Sequence, residues 1–510
     1  MKSLLALLVL VTALSAQSTV QLTGGISISG SVTATSASQA SSCGPPTYPC
    51  SRSDLRTAAN PAVPPQVGPN TCIAGSLNTC GNLTGANTII TDPDFGNRIV
   101  RATDATSGCG GTCTTNNSGA GGAQAWNSNS TMFITGTTGG GDLLFSFNPS
   151  TLQASRLATL PSNNGGFGYI WSWLNPNLLY AINRTTIVKF DLTGYSARRP
   201  LPASTTVFDF NTAGCLQADP NWNANPTVTW RAQFQSSKDD LNFATAISNA
   251  GAQGTAFFTV VYTAGKGCRV LDSKRGIVYG QWGATGGINL PDRWTIHANA
   301  ISKSGAYDGV GFNKCLSTSC SGTANGYFWL VSSTTVTFPT GCLGGHESLG
   351  YTHWINNSGC NHFGQSQIRT FGSPGLSSSI ITNFPNGMIT PFDQHFSWQN
   401  ADAADTYPII SDSWSTVFPF PAAWYNEVLA TFTSNSLGVP TGTVKRFAHT
   451  FITAQSQRFI TKQAIGQLSP DGKYYIFASD WLSTLGSERG AARCTTRTDC
   501  RGDVFIVELK

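Results

Sequence analysis

Six histidines fall within one stretch of the chain: His297, His346, His353, His362, His395 and His449. Imidazole nitrogens combined with amide or carboxylate oxygens suit a divalent cation. Gln399, Asp402 and Glu427 supply such oxygens in the same stretch. The candidate metal set is His297, His346, His353, His395, Gln399 and His449, and the candidate ion is manganese or calcium. A cation held there would neutralise a substrate carboxylate and, as a Lewis acid, make the neighbouring C–H more acidic. Arg293, Arg446 or a histidine outside the set would take the proton. A plainer reading stands beside this one. A lone histidine in a strand-rich chain is ordinarily a hydrogen-bonded structural residue, and none of the six sits in a short metal-binding spacing.

Residues so far apart in sequence meet only if the fold returns them to one place. From Ile89 onward, short runs rich in Val, Ile, Phe, Tyr and Trp alternate with turns of Gly, Asn, Ser and Asp. Thr131-Met132-Phe133-Ile134, Thr186-Ile187-Val188-Lys189-Phe190 and Tyr327-Phe328-Trp329-Leu330-Val331 are examples, and they read as strands. Sustained 3.6-residue periodicity is nearly absent. A degenerate repeat runs through this region. Its clearest copy is Leu468-Ser469-Pro470-Asp471-Gly472-Lys473-Tyr474-Tyr475, a strand end, a Pro-Asp-Gly turn and an aromatic strand. Weaker copies begin at Trp126, Trp173, Ser236, Ile301 and Trp354. Their spacing of roughly 47 to 65 residues is that of propeller blades with loop insertions. The expected fold is therefore all-β, a single β-propeller of seven blades over residues 89–510. Its ring would close by pairing residues 91–101 with the strand at 503–509, so that the two ends share a blade. In such a ring, residues near the starts of inner strands face the central channel, and distant histidines converge at its mouth.

The N-terminus and composition set the compartment. Met1-Lys2, an apolar run from Leu4 to Leu14, and Ser15-Ala16 form a secretory signal peptide with cleavage expected near Ala16. The run is shorter than the about 20 residues of a membrane span. Residues 17–88 are rich in Ser, Thr, Gly and Pro and hold four cysteines, so they read as a stapled segment without its own core. The fourteen cysteines mostly form close sequence pairs: Cys43/Cys50, Cys72/Cys80, Cys109/Cys113, Cys315/Cys320, Cys342/Cys360 and Cys494/Cys500. Cys215 and Cys268 remain as a further possible pair. Disulfides in a secreted (periplasmic or extracellular) protein follow. Charged residues make up only 11% and net charge is +5 with the basic residues scattered, so no nucleic-acid-binding stripe is present.

Several segments together resemble the oligogalacturonate lyase-related group of secreted bacterial seven-bladed propellers. They are Thr91 to Thr103, the His297 segment, His395-Phe396-Ser397-Trp398, Trp424-Tyr425-Asn426-Glu427, Arg446-Phe447-Ala448-His449 and Ser479-Asp480-Trp481. Ser469-Pro470-Asp471-Gly472 is similar to the turn of TolB-like repeats. The resemblance implies a divalent metal held by histidines and a glutamine on the top face. It also implies a basic residue that takes the proton beside a uronate carboxylate, as in β-elimination of an acidic polysaccharide. His-x-His, the pair associated with that metal site, does not occur in the chain.

Two readings follow. One is a polysaccharide lyase-like enzyme acting on an extracellular acidic glycan. The other is a non-catalytic propeller that binds glycan or a surface protein, or a structural part of an extracellular assembly. Gly344-Gly345-His346-Glu347-Ser348 lacks the order of a nucleophile elbow. Gly139-Gly140-Gly141 precedes no helix and so makes no phosphate loop. Arg501-Gly502-Asp503, an adhesion-type tripeptide, reads as the opening of the last strand. The thirteen Trp residues read mostly as core, with sugar stacking as their other use.

Overall fold

A computed structural model describes residues 83–92, 97–115, 124–137, 141–161, 168–197, 199–220, 222, 234–248, 256–288, 290, 294–315, 326–339, 347–357, 366–374, 392–399, 409–415, 427–433, 440–452, 464–481, 483–490 and 500–509. Their strands form seven sheets, and every pairing between them is antiparallel. The one helical element among them is a 3₁₀ turn, Leu216–Ala218. No helix of the described residues is long and apolar enough to cross a membrane.

Taken in chain order, sheet 1 runs from Cys113–Thr115 to Gln153–Thr159 and sheet 2 from Tyr169–Trp171 to Thr205–Asp209. Sheet 3, with six strands, runs from Gln235–Ser236 to Gly286–Gly287. Sheet 4 spans Trp294–Ile301 to Val336–Thr337, and sheet 5 spans Ser348–Leu349 to Ser366–Thr370. Sheet 6 spans Phe392–Ser397 to Pro440–His449. Sheet 7 takes strands from both chain ends, in the order Gln467–Leu468, Tyr474–Ser479, Asp503–Glu508, Arg98–Arg101 and Ile89–Thr91. The pairing expected between residues 91–101 and 503–509 is present: Ile99 faces Val507 and Arg101 faces Phe505.

Period-2 alternation explains how the sheets pack. In sheet 4, Tyr327 and Trp329 enter a cluster with Val261 and Leu271 of sheet 3. Phe328, between them, enters a cluster with Leu349 and Trp354 of sheet 5. The same division recurs at every seam. Sheets 1 and 2 share Ile134, Leu144 and Leu179, and sheets 2 and 3 share Tyr180, Ile182 and Phe258. Sheets 5 and 6 share Ile355 and Phe396. Sheets 6 and 7 share Val428, Tyr475 and Phe505, and sheets 7 and 1 share Ile476, Ile506 and Phe133. Burying both faces explains why these strands are nearly continuous runs of Phe, Ile, Val and Trp.

Hydrogen bonds follow the same circuit. Ala125 N–H donates to Gln467 Oε1 at 2.6 Å and Trp171 Nε1–H to the Ala125 carbonyl at 3.0 Å. Asp240 accepts from Trp173 N–H at 3.0 Å. Lys238 N–H donates to the Lys303 carbonyl, and Lys303 N–H to the Gly350 carbonyl. Trp398 N–H donates to Ser348 Oγ and Leu468 N–H to Ser397 Oγ, both at 2.9 Å.

The repeated turn joins the first and second strands of a sheet. Ser469, Ser302, Ser237 and Asn127 each accept, through a side-chain oxygen, the N–H of a residue five positions on. The copy placed at Trp354–Gly359 needs correction: His353–Asn357 is the second strand of sheet 5, and the equivalent turn there is the one where Gly350 N–H donates to the His353 carbonyl. The apolar pair Trp354-Ile355 supplied strand signal, and the turn before it has no Pro, Asp or Asn. Cys109–Cys113 and Cys215–Cys268 are disulfides. Residues 83–88 also join the packing. Asn87 acts as a strand mimic, its side chain exchanging two hydrogen bonds with the backbone of Ala154, and Arg101 Nη1 donates to the Leu83 carbonyl.

Candidate functional site

The first strands of the sheets end around a small depression. Gln124 reaches it from the loop of sheet 1, Ile170 and Trp173 from sheet 2, and Gln235, Ser236 and Lys238 from sheet 3. Ile301 and Lys303 come from sheet 4, Leu349 from sheet 5 and Gln399 from sheet 6. One position of the repeated turn builds much of this lining. The residue after the capping serine is Trp173 in sheet 2, Lys238 in sheet 3 and Lys303 in sheet 4. The equivalent residue of sheet 5 is Tyr351.

The lysines are held inward, with only 9% of Lys238 and 5% of Lys303 exposed. Lys238 Nζ lies over the Trp173 ring and donates to the Gln399 carbonyl at 3.1 Å, across the mouth from its own sheet. Lys303 Nζ is 5.2 Å from the ring centre of Trp398 and 5.7 Å from that of Tyr351. Ring faces attract an ammonium. The described lining holds two lysine, three glutamine and one tryptophan side chains, with no carboxylate or imidazole among them. Such a set attracts an anion, hydrogen-bonds hydroxyl groups and accepts the C–H face of a ring.

Among the sequence candidates, Gln399 is the one that the described structure brings to this mouth. Arg293 and His346 lie outside the described residues, as do His362 and Asp402. His297 belongs to the first strand of sheet 4, Arg446 to the last strand of sheet 6, and Glu427 opens the strand before it. His353 opens the second strand of sheet 5, its Nδ1 2.7 Å from Thr352 Oγ1. His395 is buried in the first strand of sheet 6. His449 closes that sheet's outermost strand, where Asp92 accepts its backbone N–H at 2.7 Å and faces its Nδ1 at 3.1 Å. This dyad ties sheet 6 to the N-terminal strand. Among the described residues no three His, Cys, Asp or Glu side chains gather as a metal set. Sequence reading missed Lys238, Lys303 and Trp173. The signal was present: aligning the repeat copies and reading the column after the cap returns all three.

Other perturbed groups lie away from the mouth. Asp308, in the second strand of sheet 4, is fully buried. Burial holds its carboxyl well above the usual carboxylate range, against a lowering hydrogen bond from Asn299. Loss of hydration beside Tyr169 pushes Asp142 up to about 7. Arg501 and Asp503 of the adhesion-type tripeptide are buried and bonded to each other, with Arg101 on the same carboxylate.

In sequence the chain matches no protein-family model and no curated protein. Its fold is similar to solved structures. An oligogalacturonate lyase in complex with manganese superposes with a TM-score of 0.50 at 10% identity, over 83% of this chain and 96% of that one. The Neurospora crassa Pan2 WD40 domain gives 0.39 at 11%, over 79% and 90%. A chain of a mitotic checkpoint complex gives 0.37 at 11%, over 78% and 92%. The first likeness, with the seven sheets, identifies the architecture as a β-propeller; at such identity it speaks for fold alone.

Proposed function

We propose that this chain is a secreted seven-bladed propeller whose channel mouth binds an acidic extracellular polysaccharide. The observation that carries the reading is the pair of inward lysines, Lys238 and Lys303, set among Trp173, Tyr351 and Trp398. A uronate needs a cation for its carboxylate, amides for its hydroxyls and a flat apolar surface for its ring, and all three converge here. Seven core seams and seven hydrogen-bonded junctions support a closed ring of seven blades, with both chain ends in sheet 7. Residues 1–16 are the export signal and residues 17–88 an N-terminal extension, stapled by disulfides, that leads into the ring.

Titrating the protein with trigalacturonate, read by tryptophan fluorescence, tests this. Saturable binding is expected. Lys238→Ala and Lys303→Ala should each weaken it about tenfold or more, the value of a charge-assisted hydrogen bond. Equal affinity for a neutral trisaccharide, or no effect of either substitution, refutes the reading. The fold likeness to a lyase motivates a second reading, cleavage of the same glycan by β-elimination assisted by manganese or calcium, Gln399 being the sequence candidate that lies at the mouth. Unsaturated products absorbing in the ultraviolet, formed only with added metal, would establish it.

A further inference from the structure

Five triplets of the chain read Asn-x-Ser or Asn-x-Thr with no proline between, and they begin at Asn82, Asn116, Asn129, Asn183 and Asn356. In a secreted protein that pattern is the acceptor for N-linked glycosylation. A chain rich in Asn, Ser and Thr produces such triplets by composition alone, so their placement decides. Asn129 and Asn183 are those whose side chains belong to the described residues, and both are exposed. Asn129 stands in the turn between the first and second strands of sheet 1, in the loop that also brings Gln124 to the mouth. Thr131 Oγ1 donates to Asn129 Oδ1 at 2.6 Å, a bond that engages the amide oxygen and leaves Nδ2 out of it. Asn183 ends the second strand of sheet 2, Leu178–Asn183, and pairs with Thr186 across the two-residue turn Arg184-Thr185. It lies at the end of that strand away from the mouth. The surface supplies a separate reason. Charged residues are only 11% of the chain, where about a quarter is usual, and a bulky hydrated glycan gives the solubility that charge otherwise provides.

We propose that Asn129 and Asn183 carry N-linked oligosaccharides, one on the side of the mouth and one at the opposite end of the blades. This goes beyond the reading of the mouth as a glycan site and rests on residues 1–16 as an export signal. The co-reactant is an oligosaccharide held on a lipid diphosphate in the export compartment. Asn Nδ2 bonds to C1 of the first sugar, and the C1–O bond to phosphate breaks. The lipid diphosphate leaves with the electron pair, and Nδ2 gives up one proton. Each sugar chain then extends into water from a turn, so the core packing between sheets is undisturbed. Asn148-Pro149-Ser150 is the internal contrast: Asn148 is also exposed at a turn, but the proline bars it as an acceptor.

The test takes the full chain from the cells that naturally produce it, treats it with a peptide-N-glycosidase in heavy-oxygen water, and maps the peptides by mass spectrometry. The glycosidase turns a glycan-bearing asparagine into an isotopically marked aspartate. Marked aspartate is expected at positions 129 and 183 and not at 148. In the same cells, Asn129→Gln and Asn183→Gln should each remove one glycan from the intact mass. Thr131→Ala should remove the glycan at Asn129 although the asparagine stays, and Thr131→Ser should keep it. Secreted protein with both asparagines bare overturns the proposal and leaves the export signal standing. Equal marking at Asn148 also overturns it, because plain deamidation would then explain the label. A chain kept in the cytosol with its first sixteen residues attached overturns both the export reading and this proposal.

Discussion

Asp308 and Asn299 illustrate what one pair of residues can decide. Asn299 Nδ2 donates to Asp308 Oδ1 at 3.4 Å, while Asp308 Oδ2 and Asn299 Oδ1 are both buried with no hydrogen-bond partner. A proton on the carboxyl removes a buried charge and turns Asp308 into a donor, and burial favours that proton. The folded pKa is raised, so the stability this group contributes is complete below the ordinary value of about 3.9 and is lost as pH rises through the folded value. Asp308→Asn keeps the donor and removes the titration. Its melting temperature should therefore gain on the wild type as pH rises from 4.5 to 8 in calorimetry. A constant difference would mean that Asp308 is ionised in the fold. Asp142, pushed up to about 7 by loss of hydration, should give Asp142→Asn the same sign over the same range. None of this was legible in the sequence, because an aspartate's burial depends on which sheet its strand faces. How the histidines stand to the mouth was not legible for a related reason. Proximity along the chain says nothing of radial position, and His395 and His449 occupy the innermost and outermost strands of one sheet.

Strands and turns were more legible, since period-2 alternation and turn chemistry are local. The Pro-Asp-Gly turn at Pro470–Gly472 was found directly, and the copies at Trp126, Trp173, Ser236 and Ile301 fall between first and second strands as read. Seam packing was not legible. Gly309 faces Trp354 across the seam of sheets 4 and 5, and a β-carbon built on Gly309 would lie 1.8 Å from Trp354 Cζ3. Gly309→Ala should cost about 1–3 kcal/mol or more in chemical denaturation, since the overpacked indole has nowhere to move. Gly309→Ala combined with Trp354→Phe should recover part of that loss, a coupling that a purely local backbone effect would not show.

Across the whole molecule, sheet 7 joins the first described strands to the last. Asp503, buried, binds Arg101 from the N-terminal side at 2.5 Å and Arg501 at 2.9 Å. Removing it strands two guanidinium groups in the interior. Asp503→Ala should therefore destabilise by about 3–5 kcal/mol in urea unfolding, and Arg101→Ala by less, because Arg501 still serves the carboxylate. Equal losses would show that the junction does not depend on this triad. The order of synthesis gives the same feature a temporal meaning. The strand Asp503–Glu508 lies between Tyr474–Ser479 and Arg98–Arg101, so the nascent protein cannot complete that sheet until Glu508 has been translated. A prematurely terminated product would carry unfinished surfaces at both of its ends, ready for proteases.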